Sequence, residues 1–115
     1  MTRMIYHMCP ADTWQEAVRT GIYRGTANDL RDGFIHFSTA EQIAESARRH
    51  RAGQEGLVLI AVESDRLGAR LKWEPSRGGA MFPHLYGPLD RTEAASIRPL
   101  PLGEDGEHIF PPLDP

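Results

Sequence analysis

The chain has 115 residues, of which 40% are hydrophobic and 25% are charged. This composition is typical of a single globular domain and argues against two domains or a disordered chain. A net charge of −3 and a single cysteine, Cys9, exclude an overall basic field for DNA or an anionic membrane, an internal disulfide and a two-cysteine redox pair. Because no apolar segment has the length of a membrane span or a secretory signal, we expect a cytoplasmic protein.

The first third of the chain predicts a strand, a helix and a loop. Met4–Met8 is apolar and aromatic, which indicates a strand with His7 on one defined face. Apolar residues at helical spacing predict a helix over residues 11–20 that ends at Gly21. The polar residues 22–32 are typical of a loop, with room for one helical turn.

Residues 33–51 carry the most informative pattern, because a strand runs directly into a helix. Phe34–Phe37 is short, apolar and aromatic, as expected of a strand. Ser38 and Glu41 have capping-box spacing, so we predict a helix that begins after Ser38 and continues to the end of this segment. Such a junction places Ser38 beside unpaired backbone N–H groups, where an anion can bind.

The second half of the chain predicts mostly strands. Four segments are predicted as strands or extended chain: a central strand over Leu57–Val62, an alternating strand over Arg70–Glu74, an edge strand or extended loop over Phe82–Leu89, and a last strand over Ala94–Leu100. Alternation places Trp73 and Glu74 on opposite faces of their strand. The proline-rich residues 101–115 are predicted to pack as extended chain or to stay mobile, with Ile109 and Phe110 as anchors.

Histidines supply the clearest candidates for chemistry. His7, His36 and His84 could join Glu74 in a nitrogen and oxygen ligand set, as in a small metal-dependent hydrolase. No two of them have the His-x-His or His-x-x-x-His spacing that fixes a pair of ligands locally, so no metal site is predicted. Cys9 is less expected as a nucleophile than as a small buried apolar residue.

Polar side chains stand next to aromatic ones at four places in the sequence. These places are Tyr6-His7, the run Phe34-Ile35-His36-Phe37-Ser38-Thr39, Trp73-Glu74 and His84-Leu85-Tyr86. Aromatic faces stack on a base or a nicotinamide ring, imidazoles bind ribose hydroxyls, and a carboxylate stabilises a developing oxocarbenium ion. The alternative is an ordinary aromatic core whose polar residues face water.

The same residues resemble the bacterial family called domain of unknown function 952. The likeness spans residues 4–98 and rests on six segments in order: Ile5-Tyr6-His7, Trp14, Gly21-Ile22-Tyr23, Asp32-Gly33-Phe34-Ile35-His36-Phe37-Ser38-Thr39, Leu71-Lys72-Trp73-Glu74 and Phe82-Pro83-His84-Leu85-Tyr86-Gly87-Pro88-Leu89. The resemblance implies one compact α+β domain over residues 1–115, with a split, bent β-sheet and two short helices. That fold is similar to the ADP-ribosyltransferases, whose cleft holds NAD.

The first half is also similar to the RNA 2′-phosphotransferases and related transferases. On that resemblance, His7 takes a first-strand nucleotide-binding position and His36 takes the later strand position. Phe34 stands where the first histidine of the transferases' His-x-His pair would be. No Glu-x-Glu or Gln-x-Glu pair supplies their catalytic acid, and Glu74 is the best remaining carboxylate.

The resemblance therefore implies a cleft that binds NAD or another ADP-ribose-containing nucleotide. Glu74 and His36 are expected to be catalytic if a glycosyl group is transferred, with Glu74 stabilising positive charge at the breaking glycosidic bond. Six further residues are expected to bind the ligand: His7, Ser38, Thr39, Trp73, His84 and Tyr86. Of these, His7 is expected on a ribose hydroxyl, and Tyr86 or Trp73 on the nicotinamide ring.

The expected partner is a small-molecule nucleotide. No cofactor is required, NAD is the candidate substrate, and RNA stays open as a partner although the acidic charge balance disfavours tight RNA binding. The alternative is a noncatalytic module that binds a small ligand or a peptide in the same cleft. The missing acid motif favours that alternative.

Overall fold

The structure, a computed structural model, describes residues 3–115 apart from the side chain of Arg77. The strands of this part are β1 (Met4–Pro10), β2 (Ile22–Tyr23), β3 (Ile35–His36), β4 (Ser38–Thr39), β5 (Leu57–Glu63), β6 (Leu71–Pro75), β7 (Met81–Leu85), β8 (Leu89–Asp90) and β9 (Ala94–Leu100). Its α-helices are α1 (Ala11–Thr20), α2 (Ala27–Asp32) and α3 (Ile43–His50), none of which is long and apolar enough to cross a membrane. The fold is α+β, as predicted, with one helix more than the two expected.

The largest sheet has the strand order β4-β1-β5-β9 and is antiparallel throughout. Strand β5 is central, as its continuous apolar run predicts. Successive residues of β1 pack against different cores: Ile5 and Cys9 lie with Trp14 of α1, whereas Tyr6 lies with the buried residues of α3. The alternation turns His7 to the same face as Ile5, toward the two smaller sheets.

The second sheet has the order β3-β7-β6, and a two-strand pair, β2-β8, forms the third. The segment predicted as an edge strand or loop therefore contains a central strand, although Pro83 lies within it. The Pro83 carbonyl accepts a hydrogen bond from the backbone N–H of Phe37, just beyond the end of β3. In an antiparallel sheet the nitrogen and the carbonyl of one residue point to the same side, so the Pro83 nitrogen also faces the β3 side. Because no bond to β6 is lost, the proline is tolerated at the centre of the sheet.

Two local predictions around the helices need correction. Residues 22–32, predicted as a loop with room for one helical turn, contain β2 and the six-residue helix α2, because Thr26 and Asp29 form a reciprocal capping box at the start of α2. Helix α3 begins at Ile43 rather than directly after Ser38, because Ser38 pairs with β1 as part of β4. Ser38 is a strand residue and not a helix cap.

The C-terminal tail packs back onto the domain as extended chain. Phe110 and Leu113 lie against the core beside α3, and the Tyr6 hydroxyl exchanges two hydrogen bonds with the backbone of Asp114. Ile109 is 56% exposed. Of the two predicted anchors, Phe110 is confirmed, and Leu113 takes the place expected for Ile109.

Candidate functional site

A cleft of about 170 Å³ lies among β1, β7, α2 and α3. Four of the predicted site residues line it: His7, His36, Ser38 and His84. Acidic and basic side chains that sequence reasoning did not select, among them Asp29, Asp32, Arg31 and Arg51, line it as well. The fold therefore brings the predicted histidines together and adds charged groups to them.

Asp29 is the buried carboxylate around which one wall of the cleft is organised. It is 3% exposed, and its Oδ2 accepts hydrogen bonds from the backbone N–H and the hydroxyl of Thr26 at 2.7 and 3.0 Å. Gly25, at φ +104°, lies directly over it, and a Cβ there would stand 2.6 Å from the Asp29 Cβ. Glycine lets this loop approach the carboxylate so closely, and the loop and α2 together hold it in one position.

Asp29 in turn holds His36 at the cleft. Its Oδ1 accepts hydrogen bonds from the backbone N–H of His36 at 3.1 Å and from the ring Nδ1 at 2.5 Å. Burial alone would raise the pKa of Asp29, but these bonds, the nearby His7 ring and the Thr26 N–H lower it to about 2. The His36 side chain is 41% exposed, and its Nε2 lies 3.1 Å from Oδ2 of Asp32. An ionised, buried carboxylate thus orients an accessible imidazole.

His7 lies behind this pair, buried, with both ring nitrogens bonded. Its Nδ1 donates to the carbonyl oxygen of His36 at 2.6 Å, and the Tyr23 hydroxyl donates to its Nε2 at 2.5 Å. This pattern fits a neutral ring, and burial lowers the pKa of His7. The Tyr23 hydroxyl also hydrogen-bonds with the thiol of Cys9, whose pKa burial raises to about 11. His7 supports His36 from inside the domain, and the Cys9 thiol stays protonated at neutral pH.

Acidification is expected to destabilise the domain in two steps. Because burial lowers the pKa of His7 below 6.5, the unfolded chain takes up a proton first, and stability falls as the pH drops below about 6.5. The pKa of Asp29 falls from 3.8 to about 2 on folding, so a second loss is expected below about pH 4. Urea unfolding between pH 7.5 and 3 measures both steps.

The variant His7→Gln is expected to lose the first step, whereas His108→Gln, whose ring contacts the Gln54 carbonyl outside the cleft lining, is expected to retain it. A wild-type stability that is constant between pH 7 and 5 would contradict the assignment.

A second carboxylate and histidine pair lies beside the first. Oε1 of Glu74 accepts hydrogen bonds from Nδ1 of His84 at 2.8 Å and from the Tyr86 hydroxyl at 2.7 Å, and these bonds lower the pKa of Glu74. Phe34 stacks on the His84 ring with centroids 4.0 Å apart. The His84 and His36 rings meet edge to face with centroids 5.7 Å apart. Two carboxylate-bound imidazoles therefore stand next to each other at the cleft.

Four predicted site residues are not part of the cleft lining: Thr39, Trp73, Glu74 and Tyr86. Glu74 is linked to the site through His84, and Tyr86 is linked to it through Glu74 and through its ring contact with Phe34. Trp73 lies on the opposite face of β6 from Glu74, where it packs against the core under the Arg3 guanidinium. The Thr39 hydroxyl accepts a hydrogen bond from the backbone N–H of Gln42, so it holds the turn before α3.

The histidines do not form the metal site that a hydrolase would need. Across residues 3–115, no three His, Cys, Asp or Glu side chains are grouped so as to hold a metal ion. His36 and His84 are neighbours, but each already binds a carboxylate through Nδ1, and His7 has both ring nitrogens bonded.

One signal in the sequence could have indicated Asp29. Thr26 and Asp29 have the Thr-x-x-acid spacing of a capping box, and Asp32 follows one turn later on the same helix face. Arg31 and Arg51 carry no comparable signal, because their place at the cleft depends on how α2 and α3 pack against the sheets.

The chain belongs to the family described as "Protein of unknown function (DUF952)", which residues 8–97 match. The chain is similar to protein CC0527 from Caulobacter crescentus. In the X-ray crystal structure of CC0527, the identity is 47% and the TM-score 0.89, with 92% of this chain and 93% of that chain covered. In its solution NMR structure, the identity is 48% and the TM-score 0.82, with 90% of each chain covered. No match is found among curated protein sequences.

Proposed function

We propose that the cleft binds a nucleotide of the NAD or ADP-ribose type, in a domain with an ADP-ribosyltransferase-like fold. The observation that carries the proposal is the His36 imidazole, which the buried Asp29 holds at a cleft lined by polar and aromatic side chains. A fixed, accessible imidazole suits a ribose hydroxyl, because the hydroxyl can insert between Nε2 of His36 and the partly exposed carboxylate of Asp32, accepting from one and donating to the other.

Cationic side chains at the same cleft suit the phosphates of such a ligand. The Arg51 guanidinium, which carries five N–H groups, makes two long hydrogen bonds, to Gln54 at 3.3 Å and to the Met8 carbonyl at 3.5 Å. Arg31, which is bonded to Asp32, stands at the same opening. Guanidinium groups bind phosphate through paired N–H donors, so these two arginines supply anion recognition that a net acidic chain otherwise lacks.

The size of the cleft limits how much of the ligand it encloses. Its volume of about 170 Å³ lies below the roughly 300 Å³ at which pockets for drug-sized ligands begin. We therefore expect one ribose with its attached phosphate or base to enter, while the remainder of a dinucleotide lies along the surface.

Glycosyl transfer is the catalytic part of the proposal. It would use His36 to orient the ribose and Glu74 to stabilise positive charge as the C1′–N bond breaks. One observation favours the noncatalytic alternative: Oε1 of Glu74 is already bonded to both His84 and Tyr86, and Glu74 does not line the cleft. Binding is therefore our conclusion, and transfer is left to the assay.

Thermal unfolding against NAD, ADP-ribose, nicotinamide and inorganic phosphate tests the binding. Ligand at about 100 times its dissociation constant stabilises the folded state by roughly 2.7 kcal/mol, which should raise the midpoint by several degrees. We expect this rise with NAD and ADP-ribose, and its loss in His36→Ala, with each variant compared with its own ligand-free midpoint. His108→Ala, whose ring contacts the Gln54 carbonyl, is the matched control.

Absence of a shift with every nucleotide would contradict nucleotide binding. Chromatography of NAD after long incubation distinguishes a transferase from a noncatalytic binding module. Release of nicotinamide that Glu74→Gln abolishes supports transfer, whereas intact NAD supports the noncatalytic module.

A further inference from the structure

The two adjacent imidazoles differ in what their second ring nitrogen meets. In both rings Nδ1 faces a carboxylate, Asp29 at 2.5 Å for His36 and Glu74 at 2.8 Å for His84. Ionised carboxylates only accept hydrogen bonds, so each Nδ1 carries a proton. The chemistry available to each ring therefore depends on its Nε2.

Nε2 of His84 has no hydrogen-bond partner among the described atoms of residues 3–115, which leave out the Arg77 side chain, although His84 is only 6% exposed and lines the cleft. A buried ring nitrogen left unpaired costs free energy, so a group on a ligand is the natural partner for it. With Nδ1 protonated, the neutral ring presents a lone pair at Nε2 and can accept a proton. Glu74 and the stacked Phe34 fix the ring in that orientation.

His36 has the opposite arrangement, because its Nε2 lies 3.1 Å from the carboxylate of Asp32. A carboxylate oxygen only accepts hydrogen bonds, so Nε2 of His36 is placed to donate a proton at this edge. Its side chain is 41% exposed, so a ligand in the cleft can reach it. The two neighbouring rings therefore differ in their hydrogen-bonding role at Nε2, an acceptor on His84 and a donor on His36, which suits an acid and base pair.

We propose that the cleft cleaves small ribonucleotide phosphodiesters, with Nε2 of His84 as the general base and Nε2 of His36 as the general acid. The ring centroids are 5.7 Å apart, close enough for one phosphoryl group and its neighbouring hydroxyl to contact both imidazoles. Arg31 and Arg51 at the cleft supply charge for the phosphoryl oxygens. This activity goes beyond the proposed nucleotide binding and does not require glycosyl transfer.

The reaction balances without a metal, an oxidant or a reductant. The ribose 2′-hydroxyl gives its proton to Nε2 of His84 while its oxygen forms a bond to phosphorus. The bond from phosphorus to the 5′-oxygen breaks, and that oxygen keeps the electron pair and takes the proton from Nε2 of His36. The products are a 2′,3′-cyclic phosphate and a free 5′-hydroxyl, and solvent restores both rings. Asp29 and Glu74 are positioning residues in this scheme.

The test is cleavage of adenylyl-3′,5′-adenosine by the full chain, followed by chromatography, with the 2′-deoxy dinucleotide as the matched substrate that cannot react. We expect a bell-shaped pH profile, no cleavage of the deoxy substrate, and losses of at least about 100-fold in His84→Gln and His36→Gln. His108→Gln, purified in parallel, is expected to keep the wild-type rate, and circular dichroism checks that each variant is folded.

Glu74→Gln tests positioning separately. It is expected to lower kcat more than KM and to move the limb of the pH profile that reports the base, which a merely structural role would not do.

Three results would overturn the proposal. The first is no cleavage by the wild type, whether or not the dinucleotide binds. The second is equal cleavage in wild type and both histidine variants, which would identify a contaminating ribonuclease. The third is cleavage of the deoxy substrate at the same rate. If NAD still raises the unfolding midpoint in these cases, nucleotide binding stands and only the phosphodiester activity fails.

Discussion

Replacing Asp29 with asparagine is expected to lower the free energy of unfolding by about 3 kcal/mol, because two buried donors lose their acceptor. Each carboxylate oxygen accepts two hydrogen bonds, one oxygen from Thr26 and the other from His36. The amide of asparagine has one oxygen and one nitrogen. In either orientation its NH₂ group faces two hydrogen-bond donors, and it cannot accept a hydrogen bond from either of them. The residue is 3% exposed, so water cannot replace those bonds.

The loss should appear as a drop of roughly 10 °C in the thermal midpoint, measured by circular dichroism. Asp32→Asn is the matched control. It makes the same chemical change on the same helix, but its side chain is 35% exposed and water can take over its contacts with Arg31 and His36. A shift of no more than about 2 °C is expected there. Equal shifts in the two variants would show that burial of Asp29 is not what stabilises α2 and its contact with His36.

Long periodic segments are the part of the fold that could be predicted from sequence. Helix α1 occupies residues 11–20 and ends at Gly21 in the left-handed conformation, as its apolar spacing predicts. Strands β5 and β9 also match their predictions. The helix is distinguished by apolar residues at intervals of 3.6, and β5 by a continuous apolar run of strand length.

Of the strands of two residues, β3 lies within the predicted strand Phe34–Phe37, whereas β2, β4 and β8 were not predicted as separate strands, because two residues contain no period. Strands β2, β3, β4 and β8 exist only through their partners elsewhere in the chain. The wrong start of α3 has the same cause, since the capping spacing of Ser38 and Glu41 is local whereas the pairing of Ser38 with Tyr6 is not. The long-range pairing of strands therefore overrode the local capping signal.

The residues of the candidate site also fall into some that could be predicted from sequence and some that could not. His36 and His84 were selected from their aromatic neighbours, and the pairing of β3 with β7 places them opposite each other. Asp29, which orients His36, lies seven residues earlier in a segment read as a loop. Which carboxylate meets which imidazole depends on how α2 packs against β3, and composition and spacing do not report that.

The packing of the C-terminal tail on the domain is the second contact whose loss is expected to lower the free energy of unfolding strongly. The Tyr6 hydroxyl donates to the Asp114 carbonyl at 2.7 Å and accepts from the Asp114 N–H at 2.9 Å, while Phe110 and Leu113 cover the core beside α3. Prolines leave the tail few backbone hydrogen bonds, so the packing of Phe110 and Leu113 and the two bonds of the Tyr6 hydroxyl are main contacts that hold it.

Removal of residues 109–115 is therefore expected to lower the free energy of unfolding by about 3 kcal/mol, from lost apolar burial and the two lost bonds of Tyr6. Phe110→Ala alone should cost about 2 kcal/mol, because the partly buried ring leaves apolar surface exposed on the core. Ile109→Ala is the matched control, since a side chain 56% exposed should change stability by less than about 0.5 kcal/mol. Urea unfolding measures all three, and equal losses in Phe110→Ala and Ile109→Ala would contradict Phe110 as the anchor.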